Sequence, residues 1–362
     1  MKVTQVLYSG LGGHGSVVSS LVLADKEKKW QHQLIFYGIE ELLPAYSSFC
    51  ETERIPFFYV RKMRGIFRLP GKAVYKAFKK QAPDRVILHS PTLVLPAWCY
   101  CLLHRKKLYI VEHTPHATKG MAERLAGIAG LLLARRVVCL SATYQVEWQR
   151  RIPWLNIKKR TIVIPNGIDL TRFYPQTKPD KSTYHIGMAG RFSRQKNQAL
   201  LLEAAIRGFS SGRLGAAVHF HFAGNGETMA SLEELAKSAG LTAQIHFHGL
   251  LEEQAMIGFF GSLDLYIHAS FAETMCTSVM QALACGLPVA GSDIPGINDL
   301  LPESGIIQLF QNGDTTALLD LILRYQNPDL RTETGAASRK AATTHFSSSI
   351  TFDKYSRLID SN

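Results

Sequence analysis

Apolar positions along this chain follow two alternating patterns: short runs rich in β-branched residues, and longer stretches with apolar residues at helical spacing. Residues 2–8 (KVTQVLY) read as a first strand, followed by Gly10, Gly12, Gly13 and Gly15 and then a helical pattern over 17–23. Further strands are expected at 33–37, 85–88, 108–111, 137–141 and 160–165, with Ser141 opening a helix. A second series begins at 185–190 and continues at 219–223, 245–248, 263–268 and 287–290, with a helix at 198–205. Such alternation predicts an α/β chain with parallel sheets and helices packed on them. At 362 residues the chain exceeds the size at which one hydrophobic core stops growing, so two domains are expected. The boundary is placed where strand 160–165 runs into the turn Asn166-Gly167-Ile168-Asp169.

The densest stretch is FAETMCTSVMQALACGLPVAGSDIPG, residues 271–296. Met275, Val279, Ala282, Leu283 and Ala284 recur at helical spacing, the helix should start near Cys276, and Gly286 is its stop signal. Cys276, Thr277 and Ser278 make a first turn whose backbone N–H groups point at whatever precedes it, which is an anion site. Glu273, just upstream, is badly placed for a phosphate and well placed to accept hydrogen bonds from neutral hydroxyls. A phosphate joined to a polyol, as in a sugar nucleotide, satisfies both; the plainer reading is an ordinary loop-helix-strand unit with a solvated Glu273.

Two more places carry chemistry. In Gly190-Arg191-Phe192-Ser193-Arg194-Gln195-Lys196-Asn197 a strand ends in glycine, and Arg191 and Lys196 bracket the loop before the next helix. Two cations at such a mouth can neutralise the diphosphate that leaves when a sugar nucleotide breaks. His113 and His116 follow the strand at 108–111, at the edge where ligands collect in open parallel sheets. The run GLGGHG fits G-x-G-x-x-G, but the second strand ends in Gly38 with Glu40 and Glu41 beyond it, so a nicotinamide or flavin site is not expected.

The stretch from Phe271 resembles the E-x7-E signature of retaining GT-B glycosyltransferases of family 4, with Gln281 standing where that family has its second Glu. Residues 190–196 are similar to its G-R-x4-K element, Thr114-Pro115-His116 to its T-x-H, and residues 165–169 to its PNG-[IV]-D joint. The resemblance implies the GT-B fold, two Rossmann-like domains facing across a cleft. Residues 1–165 would bind acceptor, residues 166–345 would bind the nucleotide sugar, and a terminal helix at about 346–362 would cross back onto the first domain. Glu273 would contact the donor sugar, with His116 or His113 beside it as the remaining catalytic candidate. Arg191 and Lys196 would hold the diphosphate together with the helix start from Met275 through Cys276, Thr277 and Ser278, with Gly12 and Gly13 closing over it. The loop at Leu250 would seat the base and Gln281 the ribose, a neutral amide costing roughly 1 to 2 kcal/mol against a carboxylate. The reaction implied is transfer, with retention, of a hexose or N-acetylhexosamine from a UDP-sugar, preferred over a GDP-sugar. The acceptor would be lipid-linked, a lipopolysaccharide or a polysaccharide. A sugar-nucleotide epimerase and a donor-binding pseudoenzyme are the alternatives, the second prompted by Gln281.

Charge adds a partner. The net +12 divides into +15 over residues 1–170 and −3 over residues 171–362, so the first half faces something anionic. Residues 61–80 hold Arg61, Lys62, Arg64, Arg68, Lys72, Lys76, Lys79 and Lys80 with no acid among them, and those after Pro70 fall on one helical face. That suits an anionic membrane surface, or simply a solvated helix face; no nucleic-acid module accompanies the charge. The six cysteines include no C-x-x-C, no secretory leader is evident, and the longest apolar stretches, 92–103 and 125–134, are too short to span a bilayer. A cytoplasmic protein, peripheral on the membrane's cytoplasmic face, is expected. Without D-x-D, H-E-x-x-H or a Cys/His cluster, neither metal nor cofactor is expected.

Overall fold

The computed structural model describes residues 1–10, 12–61, 71–177, 182–302 and 304–360. Two compact units make up the chain, Met1–Gly167 with Ser348–Asn362, and Ile168–Ser347.

The first unit carries β1 (Lys2–Tyr8), β2 (Gln31–Gly38), β3 (Phe57–Arg61), β4 (Arg85–Leu88), β5 (Lys107–Glu112), β6 (Arg136–Cys139) and β7 (Thr161–Val163). They form one parallel sheet in the order β3-β2-β1-β4-β5-β6-β7. Alternate residues of a strand serve opposite faces: Val6 and Ile35 enter one apolar cluster, while Leu7, Leu34 and Phe36 enter the other. Val94–Leu103 and Met121–Leu133 are helices, as their length favours over strands. The terminal helix, Ser348–Asp360, belongs to this unit and packs on helix Gly13–Ala24, with Phe352 against Trp30 at 4.7 Å between ring centres.

The second unit carries β8 (Tyr184–Ala189), β9 (Val218–Ala223), β10 (Ile245–Phe247), β11 (Leu265–His268), β12 (Val289–Ser292) and β13 (Ile307–Phe310), all parallel, in the order β10-β9-β8-β11-β12-β13. Every residue of β11 and β12 is buried, as a parallel strand covered on both faces requires. Leu265 and Ile267 feed one cluster, and Tyr266 between them feeds the other. Helix Thr277–Ala284 buries Val279, Met280 and Leu283 completely, a gain of roughly 1.5–3 kcal/mol for each large apolar side chain. It stops where the sequence says, Gly286 adopting φ +70° and returning its N–H to Leu283 at 3.0 Å.

In each sheet the strand order reverses once, between β1 and β4 and between β8 and β11. The crevice beyond the strand ends at such a reversal is where open α/β sheets take ligands.

Candidate active site

The strand ends at the β8/β11 reversal gather the charged side chains of the second unit. Beyond β8, Gly190 and Arg191 lead through a short turn to Lys196; beyond β11, the chain passes from His268 through Ser270 to Glu273. The two loops are stitched by a backbone bond, Phe271 N–H to Gln195 O at 2.8 Å, and by the Gln195 side chain, whose Nε2 donates to Ala272 O at 2.7 Å. Glu273 is fixed from behind as well, because a Cβ at Gly296 would come within 2.3 Å of the Glu273 backbone. Gly296 O also accepts the Cys276 N–H at 3.1 Å, which anchors the residue preceding the helix.

The Glu273 carboxylate is held by two cationic donors on one oxygen. Lys196 Nζ donates to Oε1, and His268 Nε2 lies 2.9 Å from that same atom. Burial pushes the Glu273 carboxyl up, but Lys196 and His268 outweigh it and hold it down at about 2. Burial works against the His268 charge too, yet Cys276 and Glu273 prevail and raise it to about 9. For Lys196 burial again lowers the value, and Glu273 with Cys276 turns the net shift upward. Tyr266 OH, 3.1 Å from His268 Nδ1, and Ser278 Oγ, 3.4 Å from it, orient the imidazole. Arg191 is close enough to oppose the Lys196 charge, so three basic side chains gather around the one Glu273 carboxylate.

Cys276 precedes helix Thr277–Ala284, which has no side-chain cap, so its first N–H groups face the strand-end edge. Met275 is half-buried, Cys276 is buried, and Thr277 and Ser278 are half-buried. Gln281 lies one helical turn beyond Thr277 and is 9% exposed. Leu250 is exposed beyond β10, just after Gly249, whose carbonyl takes the Gly224 N–H at 2.7 Å. The carboxylate of Glu273, the His268 ring and Cys276 Sγ also lie within 4.8 Å of one another, a set that could hold a metal ion. Lys196 donates to the Glu273 oxygen of that set, so the carboxylate already has a cationic partner.

The first unit holds the remaining candidates. Gly12 precedes helix Gly13–Ala24 and Gly13 opens it. The structure separates the two histidines. His113 is half-buried at the end of β5, its Nε2 3.0 Å from His89 Nδ1 and its ring 6.2 Å from that of His14. His116 is 4% exposed, stacked on Tyr144 at 4.2 Å and edge-on to Trp148 at 4.5 Å, so the residue favoured by its T-x-H spacing occupies a packing position. Burial first, then Lys119, pushes its value down to about 3.

Sequence reasoning passed over His268, His89 and His14. His268 ends β11, His89 follows β4 and His14 lies in the first turn of the helix after β1, so position relative to the strand pattern was the available signal.

Residues 171–341 match the family described as Glycosyl transferases group 1, and residues 11–172 match Glycosyltransferase Family 4. The chain belongs to the group 1, family 4 glycosyltransferases. It is 28% identical over 239 residues to 2-deoxystreptamine N-acetyl-D-glucosaminyltransferase of Streptomyces fradiae, covering 60% of this chain and 54% of that one. Over 271 residues it is 25% identical to UDP-Gal:alpha-D-GlcNAc-diphosphoundecaprenol alpha-1,3-galactosyltransferase of Escherichia coli, covering 70% and 68%. The chain spans about half the length of several of the curated relatives it matches, such as 54% and 47% of two of them. Anabaena HepE, solved in complex with UDP-glucose, superposes with a TM-score of 0.83 over all of both chains at 18% identity, which establishes the shared GT-B fold.

Proposed function

We propose that the protein is a retaining hexosyltransferase that moves a hexose or N-acetylhexosamine from a UDP-sugar to a lipid-linked or polysaccharide acceptor, without a metal. The observation that carries this reading is Glu273 gripped by Lys196 and His268 beside an uncapped helix start, with Arg191 close to Lys196. A nucleoside diphosphate brings negative charge for these cations, and Glu273 remains to accept from sugar hydroxyls. Relatives that use nucleotide sugars support the donor class, and the galactosyltransferase of Escherichia coli named for a diphosphoundecaprenol acceptor supports the lipid-linked one. Met275, Cys276, Thr277 and Ser278 would line the diphosphate, Gln281 the ribose and Leu250 the base. Gly12 and Gly13 would meet the phosphates, and of the two histidines His113 is taken as the one beside the sugar. Retention follows if the acceptor attacks the face that the diphosphate leaves, the departing phosphate taking the acceptor's proton.

The test is a nucleotide-sugar screen by thermal shift, followed by turnover with a polyprenyl-diphosphate sugar as acceptor and NMR of the product's anomeric carbon. A UDP-sugar should raise the melting temperature, nucleotide should be released only with acceptor, and EDTA should leave the rate unchanged. Inverted product would overturn the stereochemical claim, and loss of rate in EDTA would restore His268, Glu273 and Cys276 as metal ligands. Donor conversion without acceptor would mark the epimerase, and binding without turnover a pseudoenzyme.

A membrane role for residues 61–80 is part of this proposal, although Lys62, Arg64 and Arg68 lie outside the described residues. In helix Gly71–Gln81, Lys72, Lys76, Lys79 and Lys80 are exposed opposite buried Val74, Ala77 and Phe78. No helix among the described residues is long and apolar enough to cross a membrane. Replacing Lys72, Lys76 and Lys79 by Gln should weaken flotation with anionic vesicles by about tenfold or more. Unchanged flotation would remove this helix from the membrane contact.

A further inference from the structure

At the edge of the first sheet opposite to His89 and His113, where β5, β6 and β7 begin, lies a pocket of about 330 Å³. Five of its twelve lining residues are cationic, Lys106, Lys107, Arg135, Arg136 and Arg160, and none is acidic. Asp84 outside the lining takes Lys106 at 3.0 Å. Lys107 is held below the usual lysine value by desolvation first and then by the guanidiniums of Arg85 and Arg135. Cations drawn this close repel one another, and an anion in the hollow would relieve that repulsion.

The apolar part of the wall includes Trp98, Leu102 and Leu132, and two of these belong to longer stripes. Helix Val94–Leu103 exposes Leu95 at 57% and Leu102 at 60%, seven positions apart on one side. Helix Met121–Leu133 exposes Met121 at 71%, Leu125 at 60% and Leu132 at 44%, again on one side. The two helices are neighbours, and the basic helix Gly71–Gln81 packs on the first of them. Single exposed leucines are ordinary; two adjoining stripes that both end at a basic hollow make a continuous apolar and cationic face.

We propose that this face docks on an anionic phospholipid bilayer, the pocket taking a lipid phosphate and the two stripes lying against the acyl chains. A soluble phosphate would use the cations and leave the stripes idle, whereas a phospholipid uses both. The pocket stands at the strand-start edge, away from the ends where ligands react, so this is a site separate from donor and acceptor. It does not depend on the transferase reading.

Co-sedimentation of the full chain with vesicles of phosphatidylcholine alone, and of phosphatidylcholine mixed with phosphatidylglycerol, tests it. The unmodified chain should prefer the mixed vesicles. The double variant Arg136→Glu, Arg160→Glu should lose that preference by about tenfold or more, and Leu102→Ser, Leu125→Ser should weaken binding to the same vesicles. Melting temperatures of the variants, within a few degrees of the parent, confirm that they fold; if the double charge reversal does not fold, Arg136→Gln, Arg160→Gln replaces it. Equal binding to both vesicles, or retained binding in the pocket variant while Lys72, Lys76 and Lys79 replaced by Gln lose it, would overturn the proposal. So would binding that inorganic phosphate abolishes and the leucine variant leaves intact, since that describes a soluble-phosphate site.

Discussion

Lys196→Ala is expected to lower kcat/KM by two to three orders of magnitude while the protein stays folded. That is the order of loss seen when one preorganised donor to a developing negative charge is removed, about 10²–10³-fold. The physical reason begins in the geometry around Lys196. Lys196 donates to Glu273 and is only 22% exposed, so its ammonium is already desolvated and positioned before any donor arrives. When the bond to the diphosphate breaks, charge appears on an oxygen that a preplaced cation can meet without reorganisation. Arg191→Ala should cost less, because Arg191 is exposed and screened by solvent. Glu273→Gln keeps the shape and removes the carboxylate; it should lower kcat more than it raises KM, since sugar contacts that strengthen at the transition state act on kcat. Steady-state rates with the cognate donor, alongside melting curves, check all three variants. A Lys196→Ala enzyme within threefold of the parent would end the diphosphate role for this residue.

The sequence made the strands of both sheets legible because parallel strands are buried on both faces and read as short apolar runs; 85–88 and 265–268 stand out for that reason. Phe57–Arg61 escaped notice because it is an edge strand only partly buried and runs directly into the basic segment, where charge dominates the pattern. Ile307–Phe310, the opposite edge of the second sheet, was passed over as well. Glu273, Lys196 and a helix start near Cys276 stood out by their offsets from a strand or a stop signal, with a solvated Glu273 left as the plainer reading. Their mutual contact did not. Lys196 and Glu273 are 77 positions apart, and what joins them is the β8/β11 reversal, a tertiary fact. His268 hid inside β11 as one more buried strand residue, although a fully buried histidine needs partners and the next acid after it, Glu273, lay five residues on. That His116 packs on Tyr144 and Trp148 could not be read from spacing, because those rings come from a helix some thirty positions later.

The second large effect expected is acid lability well above the range where carboxylates titrate. His89, 4% exposed, has its value pushed down to about 3 by burial and then by the proximity of His14, and His113 beside it is driven well below 6.5 by burial, His89 and His14. In the second unit His221 is pushed down to about 3 by burial and then by His246, His185 and His248, and His246 and His248 are lowered as well. Rings on β8, β9 and β10 make this second set: His185 Nδ1 lies 2.8 Å from His221 Nε2, and His221 Nδ1 lies 3.0 Å from His248 Nε2. These histidines bind a proton more weakly folded than unfolded. Between 6.5 and the folded value the unfolded chain therefore holds more protons, and stability falls as pH falls through that window. For His89 alone the loss at pH 5 is about 2 kcal/mol, from a window of roughly one and a half units. Glu273, held down at about 2, keeps its contribution until far lower pH and does not shape this wing. His268 acts in the opposite sense: raised to about 9, it contributes stability below 6.5 that is lost as pH rises through 9. Melting temperature against pH should thus fall by several degrees from pH 7 to pH 5, and decline on the other side as pH rises from about 7 to about 9. His89→Gln should flatten the acid wing even if it lowers the plateau, because the glutamine does not titrate. A melting temperature constant from pH 7 to pH 5 would mean that these rings stay solvated enough to take their protons without loss of the fold.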